Sequence, residues 1–251
     1  MKLIDSHCHI HDSEFFDDEQ REAVYQRAIS ADIGMIVVGT DKRSSQQAVE
    51  FAGSHDMTWA AVGVHPHDAK DGCRTIAELV AASPKVVAIG EIGLDYFYNH
   101  SPREAQICVL EQQLQIAVDS GLPVSFHVRD AFDDFWPIFD NFAGLRGVLH
   151  SFTDSRKNAD KGLERGLYIG INGISTFTKD VEQAQLYREL PLGRIIFETD
   201  APFLTPRPFR GKVNEVGYVE LVAEWAASER GMAFDDVART TCHNTRELFN
   251  I

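Results

Sequence analysis

Eight short runs rich in β-branched and other apolar residues recur along the chain, each followed by a segment of helical character. The runs fall near 2–5, 35–38, 59–64, 86–91, 123–127, 147–150, 167–171 and 194–198. Helical spacing is read over 20–31, 44–52, 75–82, 101–120, 133–142, 155–165 and 180–190, then over 215–230 and 235–248. Short strands that are apolar on both faces suit a parallel sheet covered on both sides. Parallel neighbours need crossover connections, usually a helix. Eight such units favour closure over an open sheet. The chain is therefore predicted to be a single-domain (β/α)8 TIM barrel over 1–251 with extra C-terminal helices. No linker-like or low-complexity stretch interrupts the alternation, and 251 residues is an ordinary length for one such barrel. Ser101-Pro102-Arg103-Glu104 reads as a capping box opening the 101–120 helix, with Gly121 ending it.

The informative residues close the strands. The first run continues into Asp5-Ser6-His7-Cys8-His9, the third into His65-Pro66-His67, and the fourth into Glu91 and then Asp95. The fifth ends in His127-Val128-Arg129, the sixth in His150 and the eighth in Glu198-Thr199-Asp200. In a barrel, the C-terminal strand ends form the active-site face. Period-two alternation puts Asp5, His7 and His9 on one face of the first strand, and Glu91 on the face of Val87 and Ile89. His127 shares a face with Ser125, His150 with Val148, and Asp200 with Glu198 and Ile196. Any one of these histidines alone is ordinary. Together His7, His9, Glu91, His127, His150 and Asp200 would be costly to desolvate without a counter-charge, and a divalent cation supplies one. Six ligands exceed the three protein ligands of a usual open site and suit a pair of ions. Histidine and carboxylate donors accommodate Mg, Mn or Zn.

Taken in order, these motifs resemble the TatD family of metal-dependent deoxyribonucleases, within the amidohydrolase-type metal barrels. The likeness runs over essentially the whole chain. It includes Gly63-Val64-His65-Pro66-His67, Gly90-Glu91-Ile92-Gly93-Leu94-Asp95-Tyr96, Glu198-Thr199-Asp200-Ala201-Pro202 and Arg210-Gly211-Lys212-Val213-Asn214-Glu215. The resemblance implies that His7, His9, Glu91 and Asp200 hold one ion, and Glu91, His127 and His150 the other, with Glu91 bridging. Two departures stand out. Ser151 replaces the usual cysteine or similar small residue after His150, and Val213 and Val216 stand where the family has Arg and Pro. Neither touches an expected ligand, so they bear on substrate binding rather than on the metals.

The expected activity is DNA exonuclease hydrolysis of phosphodiesters by a metal-activated hydroxide, with Asp200 and Glu91 as catalytic groups. His65 and Arg129 are candidate phosphate contacts, with a satisfied loop histidine the alternative for His65. Asp5, Asp95 and Glu198 are candidate supports for the ligands, and Glu198 is alternatively a buried partner of Arg129. A net charge of −14 argues against a broad nucleic-acid face. However, no acidic residue lies between Ala201 and Val213, while Arg207, Arg210 and Lys212 do. Phe203, Phe209, Tyr96, Phe97 and Tyr98 are candidates to stack bases, or else pack their loops. The expected substrate is single-stranded DNA or DNA ends, bound modestly and with strong salt dependence. The alternative is a binuclear hydrolase of amide or ester bonds, such as an aminoacyl ester on tRNA. A non-catalytic metal scaffold would require a lost ligand. Cys8, Cys73, Cys108 and Cys242 form no CxxC and read as reduced thiols of a cytoplasmic protein, with no membrane segment and no obligate protein partner. His11, His55, His67, His100 and His243 read as surface or loop residues, and Cys8 as packing toward the helices.

Overall fold

The computed structural model describes residues 1–251. Its eight strands form one sheet in the order β1-β2-β3-β4-β5-β6-β7-β8, the (β/α)8 TIM-barrel class predicted above, with additional C-terminal helices. No helix is long and apolar enough to cross a membrane. The chain divides into two compact units, one of Met1–Val37 with Ser151–Ile251 and one of Val38–His150.

The first unit carries β1 (Leu3–Cys8), α1 (Asp18–Ser30) and β2 (Ile33–Val38). After Ser151 come α6 (Arg156–Glu164), β7 (Tyr168–Ile171), α7 (Val181–Glu189), β8 (Ile195–Phe197), α8 (Val219–Arg230) and α9 (Phe234–Phe249). Every residue of β1, β2, β7 and β8 is buried, as sheets covered on both faces require. Asp17 caps α1 through the Gln20 N–H, and the Gln20 side chain returns the bond. On α9, Val237, Thr241, Asn244, Thr245 and Leu248 share the buried face. Asn244 Nδ2 donates to the carbonyls of Leu192 and Ile195, fixing that helix to the entry of β8.

The second unit carries α2 (Lys42–Ser54), β3 (Thr58–Val62), α3 (Ile76–Ala82), β4 (Val86–Asp95), α4 (Arg103–Ser120), β5 (Val124–Arg129), α5 (Phe132–Asp140) and β6 (Gly147–Leu149). β4 is longer than expected and contains the whole Gly90–Asp95 motif rather than ending at Glu91. Its register with β5 slips between Ile89 and Ile92. The simple alternation through Val87, Ile89 and Glu91 is therefore interrupted just before the carboxylate. Gly93 has φ 153°, and a Cβ there would lie 1.7 Å from the His127 carbonyl, so only glycine lets β4 approach β5 this closely.

The expected capping box at Ser101 does not form. Helix α4 begins at Arg103 after an extended Pro102, without a side-chain cap. Ser101 Oγ donates instead to the His67 carbonyl (2.6 Å) and accepts from the Lys70 N–H. Two glutamines on the buried face of α4 do the positioning. Gln113 accepts from the Val64 N–H and donates to the Val64 carbonyl. Gln106 accepts from the Asp95 N–H (2.8 Å) and donates to the carbonyls of Asp95 and Ser101. Substituting Gln106 by leucine keeps bulk but leaves those backbone groups unpaired, which costs about 1–3 kcal/mol. The expected result is a melting temperature lower by about 3–10 °C in a thermal scan; an unchanged transition would contradict the clamp.

Candidate metal centre

In the first unit, β1 delivers His7, the residue just past it is His9, and the segment leaving β8 delivers Asp200. Two backbone bonds hold these segments together: Asp200 N–H to the His7 carbonyl (2.8 Å) and His9 N–H to the Ala201 carbonyl (2.7 Å). The His7 and His9 Nε2 atoms lie 3.2 Å apart. Asp200 Oδ1 lies 3.3 Å from His9 Nε2 and 3.8 Å from His7 Nε2. Ligand bonds of about 2.0–2.2 Å at tetrahedral angles place donor atoms about 3.3–3.6 Å apart. The three donors, 3.2–3.8 Å apart, lie close to that spacing. Asp200 is held at φ 60°, a conformation disfavoured for most residues but tolerated by Asp and Asn.

Asp5 lies beneath this cluster, fully buried. It accepts from the His7 N–H (3.2 Å), the Thr199 N–H (2.9 Å) and the Thr199 hydroxyl. Burial pushes its carboxyl up to about 8 against the opposing pull of those donors. Glu198 Oε1 accepts from the Ser151 N–H (2.6 Å), and Ser151 Oγ accepts from Asn172 Nδ2. A Cβ on Gly170 would come within 2.6 Å of Glu198 Oε2, so glycine makes room for this carboxylate. Cys8 is buried with its thiol directed at the Ile36 carbonyl, and burial raises its pKa well above the usual thiol value.

In the second unit, one carboxylate oxygen gathers three imidazoles. Glu91 Oε1 lies 2.9 Å from His127 Nδ1, and 3.6 Å from both His65 Nε2 and His150 Nε2. Donor atoms of His65, Glu91 and His127 all fall within 4.8 Å of one another. Asp95 holds His127 from behind: its Oδ2 lies 2.9 Å from His127 Nε2 and 3.1 Å from His67 Nε2. Burial opposes ionisation of Asp95, but bonds from His127 and the Tyr98 N–H outweigh it and hold the carboxyl well below the usual range. His127, burial notwithstanding, is raised by its two carboxylates. His65 Nδ1 accepts from the His67 N–H, so neutral His65 carries its proton on Nε2, facing Glu91. Burial, with His127 nearby, keeps its pKa well below the usual histidine value.

Several expectations need revision. His65 lies in the loop that follows β3, is buried, and faces Glu91. Of the histidines read as surface or loop residues, His11 is fully buried in the turn after β1, and His67 is bonded to Asp95. Tyr96 donates its hydroxyl to Asp134 and lies under the Arg103 guanidinium. Gln106, Gln113 and Asn172 were not legible as site residues, because nothing in their spacing marks a helix or loop amide as a backbone clamp.

The basic segment after β8 is exposed at Arg207, Arg210 and Lys212. The Arg210 guanidinium lies 3.8 Å from the Phe177 ring centroid, and Phe209 stacks on Tyr218. Buried Asn214 pins the segment by donating to the Thr199 and Phe203 carbonyls. In the second unit, exposed Arg129 lies over Phe97 (4.1 Å) and Tyr98 (4.8 Å).

Comparison with known proteins agrees with this chemistry. The family described as TatD related DNase matches residues 4–250. An uncharacterized metal-dependent hydrolase, YabD of Bacillus subtilis, is 37% identical, the match covering 99% of each chain. The 3'-5' ssDNA/RNA exonuclease TatD of Salmonella typhimurium is 35% identical, again over 99% of each. The crystal structure of YjjV, a TatD homologue from Escherichia coli K12, superposes with a TM-score of 0.90 at 30% identity and covers 100% of this chain and 98% of its own. A TatD-family hydrolase from Entamoeba histolytica, 22% identical, shares the fold with a TM-score of 0.88. With a match that spans the chain and a donor set of the kind metal hydrolysis requires, the chain belongs to the TatD-related DNase family of metal-dependent hydrolases.

Proposed function

We propose that this chain is a metal-dependent exonuclease that hydrolyses phosphodiester bonds in single-stranded DNA and at DNA ends, acting in the cytoplasm. The observation that carries the reading is the donor geometry: His7, His9 and Asp200 close to ligand spacing, and Glu91 ringed by three imidazoles. In this reading the chain would hold two divalent ions of the Mg, Mn or Zn type, His7, His9, Glu91 and Asp200 being assigned to one, and Glu91, His127 and His150 to the other. When bound, such ions neutralise diester charge and acidify water. The chain supplies the rest. Asp200 orients the attacking water and accepts its proton. His65 donates from Nε2 to a non-bridging phosphoryl oxygen, a role its tautomer suits. Asp95 fixes the His127 ring, Asp5 the β1 backbone at His7, and Glu198 the turn after β6. Arg207, Arg210 and Lys212, in a stretch without carboxylates, offset the overall −14 charge locally and favour phosphodiesters over amides or neutral esters.

The test is release of nucleotides from an end-labelled single-stranded oligonucleotide by protein loaded in turn with Mg²⁺, Mn²⁺ and Zn²⁺. Release is expected with at least one ion, to stop on chelation, to return on re-addition, and to fall steeply with added salt. Absence of release with all three would overturn the proposal.

A further inference from the structure

Arg129, Phe97 and Tyr98 form a surface feature that the metal chemistry does not require. We infer that they constitute a nucleotide platform: the ring surface of Phe97 and Tyr98 left open beside Arg129 packs an unpaired base, and the Arg129 guanidinium holds a neighbouring backbone phosphate. The inference rests on the nuclease reading above and names the part of the substrate that this face takes.

Three observations carry it. Phe97 and Tyr98 are large aromatics left 53% and 49% exposed, in edge-to-face contact at 4.8 Å. Arg129 differs from five other exposed arginines of the chain. Arg27, Arg103, Arg156, Arg188 and Arg239 each pair with a carboxylate. Arg129 has no carboxylate partner and rests on the two rings instead. Stacking uses the face of a guanidinium and leaves its N–H edge free, and that edge recognises phosphate in a bidentate manner. In an acidic protein, an unneutralised guanidinium on exposed rings is complementary to an anion that carries an aromatic group.

The platform is also fixed to the donor cluster. Asp95 Oδ1 accepts from the Phe97 and Tyr98 N–H groups (2.9 and 3.0 Å), while Oδ2 of the same carboxylate meets His127. Asp95 stands in register with Arg129, and the Tyr96 N–H donates to the Arg129 carbonyl. Arg129 follows His127 by two residues on β5 and so shares its strand face, about 6–7 Å further along. Tyr98 is backed by His100 at 5.7 Å with planes 9° apart. A platform held this way is preorganised, and little is lost to ordering when a nucleotide lands. A base paired in a duplex keeps its faces stacked on its neighbours, so only a frayed or single-stranded base reaches these rings.

The test separates base from phosphate. Binding to metal-loaded protein is followed by fluorescence anisotropy with a labelled phosphorothioate oligothymidylate, which resists hydrolysis, and with an abasic phosphorothioate strand of equal length. Wild type is expected to prefer the strand with bases about tenfold. The Phe97→Leu/Tyr98→Leu double variant, which keeps apolar bulk but removes the ring faces, should bind both strands alike. Arg129→Gln should weaken both strands similarly and lower the salt slope by about one. A base preference that survives the double variant, with melting temperature unchanged, overturns the platform, as does the absence of any preference in wild type. Base-dependent binding without hydrolysis of an ordinary strand would instead overturn the nuclease reading and leave the platform standing.

Discussion

Replacing Glu91 by alanine is expected to lower metal-dependent hydrolysis by about a thousandfold or more, beyond the effect of any surface substitution in this chain. Glu91 is buried, and one of its oxygens faces His127 at 2.9 Å and His65 and His150 at 3.6 Å. Truncation leaves three imidazoles converging on a site that has lost its negative charge. Cation binding there would then rest on neutral nitrogens alone, and electrostatics inside a buried site are only weakly screened. In the proposed arrangement the same residue serves both ions, so its loss lowers the affinity of each. Two measurements check this: turnover on a single-stranded oligonucleotide, and metal content after dialysis against a fixed free-ion concentration. Turnover within tenfold of wild type, with metal content unchanged, would show that Glu91 is not a shared ligand. Glu91→Gln keeps side-chain volume and separates loss of charge from a packing defect. It is expected to behave like the alanine variant in turnover and like wild type in melting temperature.

The strand-end donors were legible because barrel architecture makes residue type informative. A strand covered on both faces is almost continuously apolar, so a histidine or carboxylate closing it needs a reason, and six strands closed that way. The helices that follow β8 were equally plain from their spacing. Other features depended on tertiary geometry that spacing does not encode. A glutamine on a helix is chemically generic; only the packing of α4 turns Gln106 toward the Asp95 backbone and Gln113 toward Val64. Ser101 had the sequence of a helix cap, yet its hydroxyl is taken by the 66–71 turn, whose backbone makes the stronger claim on it. His65-Pro66-His67 repeats the spacing of His7 and His9, and that repeat is visible in the sequence. The extension of β4 to Asp95 carried a similar consequence. Because the motif is inside the strand, Asp95 faces both His127 and the backbone of the loop that follows it.

Asp200→Asn is the second substitution with a large expected effect, and it tests chemistry with little disturbance to the fold. Asp200 adopts φ 60° and its N–H binds the His7 carbonyl, so the backbone here is part of the junction with β1. Alanine would lose the short polar side chain that tolerates this conformation; asparagine retains it. The variant should therefore fold and melt like wild type. Its side chain, however, can neither accept a proton from water nor offer anionic charge to a cation near His7 and His9. Turnover is expected to fall by about 10²–10⁴-fold, the usual span for losing a positioned general base. Binding of a phosphorothioate strand should change far less, because Arg129 and the 207–212 segment are untouched. That split between turnover and binding is the discriminating result. If Asp200→Asn weakened strand binding as much as turnover, Asp200 would be acting through substrate placement. If turnover were retained, the proton would have to pass to another group, and buried Glu198, two residues back along the same segment, would be the next carboxylate to substitute.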